Sequence, residues 1–484
     1  MRKILSYIFC FIIFSCSKDT EPEIPPPAPI VKYTLTVKAG EGGTVSSTGG
    51  QYENGTSVTI TATANTGYEF EKWSDGNTDN PRTIIVNSNI TVEAQFILEC
   101  ENEIVESIDL QKTSYELFDF VYPLDKDDNP VWEMIHTIAF YGATGIYFDY
   151  NNDGFMDVVG YENNYDNHVN MPDGYTGYER KQPIRFYLGT CDGNFIEDEK
   201  NDKKYLGLVH GRKLLLGDFN KDKLVDFFFI GHGYDKNPFP GEFPKVLISD
   251  GEGGFVETEY SNQVSFFHGG SSGDFDNDGD LDVFLIEAGG GKSAIYENNN
   301  GNLTPNLDLI NQSLMSGMYN TEFFDINSDG YLDIIAGGHD WLNSADYDNT
   351  PIIIYGDGND FIDNSVVRLP ESTKSEQGVV TDFEFYDISG NGEYEIVISR
   401  TGDNSRDNTN FYKNWSIQIL ELQSGKYIDS TDKYIDISEG DGNWIIWVKI
   451  IEENGDIIMH NDKYPQQEYY KKWKLSGSKF LKIN

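Results

Sequence analysis

A nine-residue loop that recurs five times along the chain sets the strongest limit on its fold. Its clearest copy runs from Asp274 to Asp282, with carboxylates at positions 1, 3, 5 and 9 and glycine at position 6. The copies are separated by intervals of 69, 56, 51 and 62 residues. Such intervals indicate one supersecondary unit per repeat, which buries its faces only against its neighbours. In chain order, loops 1 to 5 begin at Asp149, Asp218, Asp274, Asp325 and Asp387.

Apolar residues at fixed positions predict that each loop joins two strands. Positions 2, 8 and 10, counted from the first aspartate, are apolar in all five copies. Each repeat also contains a second apolar run, a Gly/Asp turn and an aromatic residue that restarts the chain, as in 245–255 and 351–361. This is a hairpin pattern, and two hairpins give a four-stranded unit. A sixth unit without the loop is predicted to close the chain, with hairpins at 444–459 and 469–483.

The repeats in residues 141–484 resemble those of the FG-GAP/VCBS repeat proteins. The resemblance implies an all-β chain in which each repeat is one blade of a calcium-binding β-propeller. Six blades are expected, or seven if residues 98–140, a connector or partial blade, supply another. A ring of blades leaves only short strand edges exposed. The resemblance says little about function, since propellers are found in binding modules and in enzymes.

The loops have the ligand chemistry of Ca²⁺, which takes six to eight oxygen ligands in flexible geometry. They are not EF-hands, because position 12 of the complete copies is Gly160, Leu285 or Ala336 rather than an acidic residue. Mg²⁺ fits less well, since it demands tighter octahedral geometry. In the alternative interpretation, Asp, Asn and Gly only make turns. Recurrence at fixed spacing favours ions.

The loops differ in their predicted strength as metal sites, and the ions are expected to be structural. Loops 1, 3 and 4 are complete, whereas loop 2 has Lys223 at position 6, where a cation and a strained turn weaken binding. Loop 5 carries little charge and is expected to hold water or a weak ion. The predicted ligands are Asp149, Asn151, Asp153 and Asp157 in loop 1, Asp218, Asn220, Asp222 and Asp226 in loop 2, Asp274, Asp276, Asp278 and Asp282 in loop 3, Asp325, Asn327, Asp329 and Asp333 in loop 4, and Asp387, Asn391 and Glu395, as weak ligands, in loop 5.

The first 31 residues predict export and lipidation. Residues 1–15 have a short basic start and an apolar run too short to span a membrane, which is typical of a signal peptide. Residues 13–16 resemble a lipobox, which implies that Cys16 is lipidated; an ordinary signal peptide is the alternative. Residues 17–21 resemble the export signal of surface lipoproteins of the Bacteroidota, which implies an outer-membrane lipoprotein facing the cell exterior. Prolines make residues 16–31 an extended tether.

Residues 32–97 form a separate small β unit. Several segments alternate apolar and polar residues, as strands do. Their order resembles the divergent internalin-type B-repeat, which implies a β-grasp-like module used as a spacer or adhesion element. Trp73 is expected to be a core residue rather than a platform for a ligand.

The net charge of the chain excludes some classes of binding partner. The chain has 36 Lys and Arg against 80 Asp and Glu, a net charge of −44. This charge disfavours nucleic acid and anionic membrane surfaces, because both repel it, so membrane contact is expected through the lipid anchor only.

Cys100 and Cys191 are able to pair in an oxidising compartment, and two free thiols are the alternative.

Three functions are compatible with these features. The first is a surface binding module for a glycan or a protein, and the second is a structural or adhesive protein. The third is a polysaccharide lyase or other glycan-degrading enzyme, because some lyases resemble this architecture, with His232, His339 and Arg400 as the reacting groups. No nucleophile elbow or zinc signature favours an enzyme. For His232 and His339, the glycines around them favour simple strand exits over a binding role. The possible ligand face consists of residues that follow each loop: Tyr161, His232, Glu287, His339 and Arg400.

Overall fold

A computed structural model of the chain divides into two compact units, Met1–Cys100 and Glu101–Asn484. Predictions for the signal peptide, the lipidated Cys16 and Cys100 lie outside the described residues. The described residues are 30–65, 68–98, 110–113, 120–121, 143–162, 174, 183–191, 193–234, 236–258, 264–340, 350–362, 365–374, 377–402, 413–443, 448–461 and 471–483.

The first unit contains eight short strands around one small core. The strands are β1 (Lys32–Ala39), β2 (Gly43–Val45), β3 (Gly49–Glu53), β4 (Thr56–Ile60), β5 (Ala62–Ala64), β6 (Tyr68–Trp73), β7 (Arg82–Val86) and β8 (Ile90–Leu98). They form a sheet of order β3-β1-β8-β6, in which β1 and β8 are parallel, and the pairs β2-β5 and β4-β7. Trp73 is fully buried and donates from Nε1 to the carbonyl oxygen of Asp79 at 3.0 Å. The prediction that Trp73 is a core residue is confirmed.

The described strands of the second unit form six antiparallel sheets, sheet 1 to sheet 6, with strands in chain order except that the last strand of sheet 5 pairs with the third strand of that sheet. Sheets 1 to 3 contain β9 (Phe120–Val121), β10 (Ala143–Phe148), β11 (Asp157–Glu162), β12 (Ile184–Gly189) and β13 (Phe195–Glu197); β14 (Gly211–Gly217), β15 (Asp226–Gly231), β16 (Lys245–Ser249) and β17 (Phe255–Thr258); and β18 (Phe267–Gly273), β19 (Asp282–Glu287), β20 (Ala294–Glu297) and β21 (Thr304–Asn306).

Sheets 4 to 6 are the remaining described sheets of the second unit, and the described residues also form two short helices. They contain β22 (Met318–Phe324), β23 (Asp333–Gly338), β24 (Ile352–Ile354) and β25 (Val366–Arg368); β26 (Val379–Tyr386), β27 (Glu395–Thr401), β28 (Lys413–Gln423), β29 (Lys426–Asp429) and β30 (Glu439–Asn443); and β31 (Val448–Glu453), β32 (Asp456–Asn461), β33 (Lys472–Ser476) and β34 (Lys479–Ile483). The helices are α1 (Gln312–Met315) and α2 (Thr431–Tyr434). The chain is therefore all-β, as predicted.

Each aspartate loop joins the first and second long strands of a sheet. The position-9 residue begins the second strand and pairs with the last residue of the first, as Asp282 does with Gly273. The position-10 residues are fully buried, so the alternation read from the sequence reaches the core. Met156, at position 8 of loop 1, is 39% exposed and does not follow the predicted pattern.

Two other details differ from the expected pattern. Phe361 does not restart a strand, because β25 begins at Val366; instead, it is buried and forms a parallel bridge with Ile310. Its ring lies 6.0 Å from that of Phe275, so it fills the core between sheets 3 and 4. Within residues 98–140, β9 adds a two-residue edge strand to sheet 1.

The first long strands of the sheets pack side by side in chain order, from β14 through β18, β22 and β26 to β31. Gly269 on β18 permits this approach, since a Cβ there would lie 2.7 Å from the carbonyl oxygen of Tyr319 on β22. Lys213 on β14 forms an ion pair with Glu322 on β22, two sheets away, and Ser271 on β18 donates to the same carboxylate at 3.1 Å. These strands therefore face a shared polar interior. No closed sheet is found among the described strands.

Cys191 forms a disulfide bond. The alternative of a free thiol at this residue is therefore wrong. Its pairing with Cys100 stays a prediction, because Cys100 lies outside the described residues.

Candidate metal loops and candidate ligand site

A shared hydrogen-bond pattern shapes the five aspartate loops. In loop 3 the amides of Asp278 and Gly279 donate to Asp274 Oδ1 and Oδ2 at 3.0 and 2.9 Å, and the equivalent bonds recur in the other loops. Position 6 is left-handed in every loop, which suits glycine. Lys223 adopts this conformation at φ 70°, so the predicted strain in loop 2 is present. Position 4 is left-handed as well, in Asn152, Lys221, Asn277, Ser328 and Gly390.

The position-9 carboxylate ties three strands together. Asp282 accepts from the amide of Phe275 at 3.3 Å and from that of Asn298, beyond β20, at 2.8 Å. Asp157, Asp226 and Asp333 make the equivalent pairs of bonds. Burial raises the pKa of Asp282 to about 8 and the pKa of the other three to about 7. A cation bound beside such a carboxylate would favour its charged form.

Loop 5 uses its longer position-9 side chain differently. Glu395 Oε2 accepts from the amides of Ile388 and Ser389 at 2.7 and 3.2 Å. Its Oε1 accepts from the hydroxyl of Tyr434 at 3.0 Å rather than from the backbone of the third strand. A side-chain hydroxyl thus satisfies the oxygen that a backbone amide satisfies in loops 1 to 4, and the weak metal site predicted in loop 5 stays a prediction.

Loop 3 is the strongest candidate metal site. Asp274, Asp276 and Asp282 each offer an oxygen within 4.8 Å of the others, and the described residues contain no other such group of acidic, histidine or cysteine side chains. Asp278 lies outside this group, and its Oδ1 accepts from the amide of Asp280 at 2.9 Å. Carboxylate oxygens converging from one short loop match the hard-oxygen preference of Ca²⁺.

An asparagine at position 3 distinguishes loops 1, 2 and 4 from loop 3. In loop 1 its side-chain amide donates to the position-5 carboxylate, as from Asn151 to Asp153 at 2.8 Å. The same bonds measure 3.0 Å in loop 2 and 2.9 Å in loop 4. Loop 3 has Asp276 at this position and therefore no amide donor. Its carboxylates repel each other more strongly, which increases its need for a cation.

The loops lie in a row. Lys221 of loop 2 forms an ion pair with Asp280 of loop 3 at 2.7 Å. Asn277 of loop 3 donates from its side-chain amide to the carbonyl oxygen of Gly330 in loop 4 at 3.2 Å. Loops 2, 3 and 4 therefore occupy the same end of their sheets.

The predicted ligand face is not an exposed surface. Tyr161, Glu287 and Arg400 lie at or near the end of the second strand of a sheet, and His232 and His339 each lie one residue beyond such a strand. Arg400 is fully buried in an ion pair with Asp340 at 2.7 Å and also donates to Gln418 at 2.9 Å. The prediction is corrected for all five residues, which are at most 7% exposed: Tyr161, His232, Glu287, His339 and Arg400.

A different set of residues is partly exposed at this end of the sheets. The pairing register shifts by a β-bulge near the start of the first long strands β14, β18 and β22. The extra residues are Arg212, His268 and Tyr319, and all three are half-buried in strands that are otherwise mostly buried. We call these three residues the bulge cluster. Bulges re-aim side chains and are common near active sites.

The side chains of the bulge cluster touch one another. Arg212 donates from Nη2 to His268 Nε2, and the rings of His268 and Tyr319 lie edge to face with centroids 4.8 Å apart. Tyr319 stacks on His339 at 4.6 Å, and His268 stacks on His232 at 5.5 Å. His232 and His339, two residues of the predicted ligand face, therefore pack against the rings of the bulge cluster.

His268 is neutral in this arrangement. A guanidinium only donates, so the imidazole nitrogen that it contacts must accept. Burial, followed by the charge of Arg212, holds the pKa of His268 well below its usual value. The positive charge of the cluster therefore resides on Arg212.

Sequence reasoning missed the bulge cluster because strand alternation does not reveal a bulge. A detectable signal existed. Arg212, His268 and Tyr319 each lie six residues before the first aspartate of their loop, so they share the period of the repeats. Residues of different chemistry at one repeat position are typical of variable sites on a repeated frame.

A cavity of about 330 Å³ lies beside β28 and α2, and half of the residues that line it are serine or threonine. Its two lysines are already paired, Lys374 with Glu439 at 2.8 Å and Lys433 with Glu421 at 2.5 Å. The cavity therefore has less free charge to recognise a ligand than the bulge cluster has.

Comparison with known families agrees with the two kinds of repeat. Residues 33–99 match the divergent InlB B-repeat domain. Residues 218–285 and 274–336 match the FG-GAP-like repeat, and these matches contain loops 2, 3 and 4. The predicted presence of both repeat types is confirmed. Loops 1 and 5 lie outside the matched segments.

Comparison with individual proteins adds little. No curated protein matches the chain. A solved structure of an Agrocybe aegerita lectin, described as specifically recognising non-reducing terminal N-acetylglucosamine, is 13% identical, with a TM-score of 0.39 over 70% of this chain and 81% of its own. That likeness is too distant to carry an argument. The described residues contain no helix with the length and apolar character needed to cross a membrane.

Proposed function

We propose that the protein is a lipid-anchored surface protein whose second unit is a calcium-stabilised β-propeller that binds a glycan. The bulge cluster carries this proposal. Three consecutive sheets place a guanidinium, an imidazole and a phenol side by side at the same repeat position. Aromatic rings with a few convergent polar groups are the usual means of holding and orienting small polar ligands.

The propeller is supported by the way the sheets follow one another. The first long strands of sheets 2 to 5 each pack against the first strand of the next sheet, and Lys213 reaches Glu322 across the shared interior. Six blades are proposed, because the described strands form six sheets and the described residues within 98–140 add only β9, to sheet 1.

Calcium is supported most strongly at loop 3 and next at loops 1 and 4. The ions would hold the junction of the first two strands and neutralise the clustered carboxylates. The ligand site is at the opposite end of these strands, since the bulges lie near the start of the first strand and the loops follow its end. Metal and ligand therefore have separate roles.

The cellular location rests on the first 31 residues. Cys16 in a lipobox-like sequence, followed by a proline-rich tether, supports an outer-membrane lipoprotein that faces the exterior. Metabolic labelling with a fatty-acid probe, compared between the native chain and a Cys16→Ala variant, tests the anchor. Loss of label in the variant is expected, and equal labelling would refute the lipidation.

A glycan array probed with the soluble chain from residue 17 onward tests the binding function. Tyr319→Ala is expected to abolish glycan retention, because it removes one ring of the bulge cluster. Tyr331→Ala is the matched control, since Tyr331 is a 40% exposed tyrosine of the same repeat in loop 4, at the other end of the sheet. No retention of any glycan by the unmodified chain, or equal loss in both variants, would refute the proposal. Binding only to proteins would favour adhesion.

A polysaccharide lyase is the second candidate, supported by the same cluster. A lyase removes a proton from a carbon next to a carboxylate, and it needs a base and a cation placed together. His232 and His339 are buried and Arg400 is paired with Asp340, so the residues first considered do not suit this role. His268 or Tyr319 as the base, with Arg212 as the cation, would suit this role. Ultraviolet absorbance from unsaturated products on incubation with uronate polysaccharides would favour the lyase.

A further inference from the structure

Arg212 has no carboxylate partner among the described residues, unlike the buried cations Lys213, Arg185 and Arg400 of the second unit. Lys213, its neighbour in sequence, pairs with Glu322. Arg185 pairs with Asp202 at 2.8 Å, and Arg400 pairs with Asp340 at 2.7 Å. In a chain with a net charge of −44, a guanidinium without a carboxylate is the exception.

The contacts of Arg212 leave most of its hydrogen-bonding capacity free. Both contacts with His268 come from Nη2, and within the described part of the chain Nε and Nη1 have no hydrogen-bond acceptor. A guanidinium has five N–H donors in a planar fork that matches the two oxygens of a carboxylate or the oxygens of a sulfate. Because His268 is neutral when it accepts from Arg212, it adds no competing charge.

We propose that Arg212 binds the anionic group of an acidic polysaccharide, so that the ligand of the bulge cluster is a carboxylated or sulfated glycan. This inference rests on the proposed glycan-binding function and specifies the class of ligand. His268 and Tyr319 lie beside the guanidinium and supply polar ring edges for the hydroxyl groups of the same sugar. A ring and an imidazole in register with the cation favour a sugar over an acidic peptide.

The net charge of the protein affects how such a ligand would bind. A charge of −44 repels a polyanion at long range, but this repulsion is screened beyond about 8 Å at physiological ionic strength. The contact with Arg212 is shorter than that distance and is screened much less. Binding is therefore expected to strengthen when salt is raised from roughly 10 mM to roughly 150 mM, the opposite of the trend for a basic protein and a polyanion.

Calorimetry with matched oligosaccharides tests the inference. The probes are an oligouronate, the same oligosaccharide with its carboxylates reduced to alcohols, and a sulfated neutral oligosaccharide, each titrated into the soluble chain from residue 17 onward. The oligouronate or the sulfated probe is expected to bind roughly ten- to a hundredfold more tightly than the reduced probe, as a charge-assisted hydrogen bond requires. Arg212→Gln is expected to remove this difference, whereas Arg212→Lys retains part of it. Arg368→Gln, on β25, is the matched arginine control and leaves the difference unchanged.

Each outcome separates the inference from the proposed function. Equal affinity for the charged and reduced probes would overturn the acidic ligand while leaving glycan binding intact. Arg212-dependent binding of polyglutamate, with no binding of any glycan, would overturn both. If Arg212→Gln lowers the melting temperature, Arg212→Lys decides the result, because it keeps a cation at this position. Loss of all preference for the charged probes in a stable Arg212→Lys variant would still support recognition by the guanidinium fork, whereas full retention in Arg212→Gln would refute it.

Discussion

Replacing Asp276 with asparagine should have opposite effects on stability with and without calcium. The substitution gives loop 3 the position-3 residue of loops 1, 2 and 4. In the ion-free chain it removes a carboxylate from a group of three and adds an amide able to donate to Asp278, as Asn151 does to Asp153. In the calcium-bound chain it removes a charged ligand. The reverse substitution, Asn327→Asp in loop 4, is the matched control.

The magnitude follows from the spacing of the three carboxylates. Their oxygens lie within 4.8 Å of one another, and two unit charges at that separation repel by about 0.9 kcal/mol in water and about 3.5 kcal/mol at an effective dielectric constant of 20. Asp276 is the most exposed of the three, so the value for water applies to its repulsion with Asp274. Asp282, with its pKa raised to about 8, is mostly protonated at neutral pH and adds only a fraction of a second repulsion, so the total is about 1 kcal/mol. For a unit of this size, that corresponds to roughly 1–2 °C in melting temperature.

Calcium should reverse the ranking. An ion at one hundred times its dissociation constant stabilises the folded chain by about 2.7 kcal/mol, and the loss of a charged ligand reduces this gain. Scanning calorimetry of the soluble chain, in excess chelator and in excess Ca²⁺, measures both states. Asp276→Asn should melt higher than the unmodified chain in chelator and should gain less from Ca²⁺, while Asn327→Asp should do the reverse. A lower melting temperature for Asp276→Asn in chelator, or an unchanged calcium effect, would refute the reasoning.

Three further substitutions test other parts of the second unit. Lys223→Gly should raise the free energy of unfolding by about 0.5–1 kcal/mol, because glycine adopts the left-handed conformation at φ 70° without strain; a lower melting temperature would contradict this. Arg400→Met should cost about 3–5 kcal/mol in thermal or urea unfolding, since it leaves the carboxylate of Asp340 buried and unpaired, and adding Asp340→Leu should restore part of the loss. Burial alone would raise the pKa of Glu421, but hydrogen bonds led by that from Lys433 lower it to about 2. Its stabilising contribution should therefore be complete above about pH 4.5 and disappear as the pH falls to about 2, and Lys433→Met should weaken this acid dependence in melting experiments; an unchanged profile would refute it.

The sequence predicted the repeated sheets well because their pattern is set by local rules. Val283, Phe227 and Ile334 all stand at position 10 and are fully buried, as alternation across a strand requires. The loops were predictable for a similar reason, since glycine and aspartate at fixed positions satisfy a turn with their own backbone and side-chain groups. These features depend on neighbours within a few residues.

Features that depend on contacts distant in sequence were not predictable. Phe361 follows a turn, as a strand residue would, but it packs against Phe275 of another sheet. Met156 has the apolar character of its equivalents but is exposed. Burial of these residues is decided by tertiary packing, which the local pattern does not encode.

The proposed ligand site differs from the predicted one because of a single structural element. Counting along a regular strand led to His232 and His339, which pack behind the exposed groups. The bulges shift the register by one residue, so the accessible side chains belong to the preceding strand. A one-residue shift moves side chains to the other face of a strand, and here it determines which residues meet solvent.

The β-bulges have a consequence for how such a protein can change over time. The extra residue of a bulge is left out of the ladder of paired residues, so its side chain is not required to fit the apolar layers on either face. Arginine, histidine and tyrosine occupy this position in three adjacent sheets without altering the strands around them. In the proposed site, ligand specificity can therefore change through single mutations at three positions, while the residues that form the rest of each repeat stay the same.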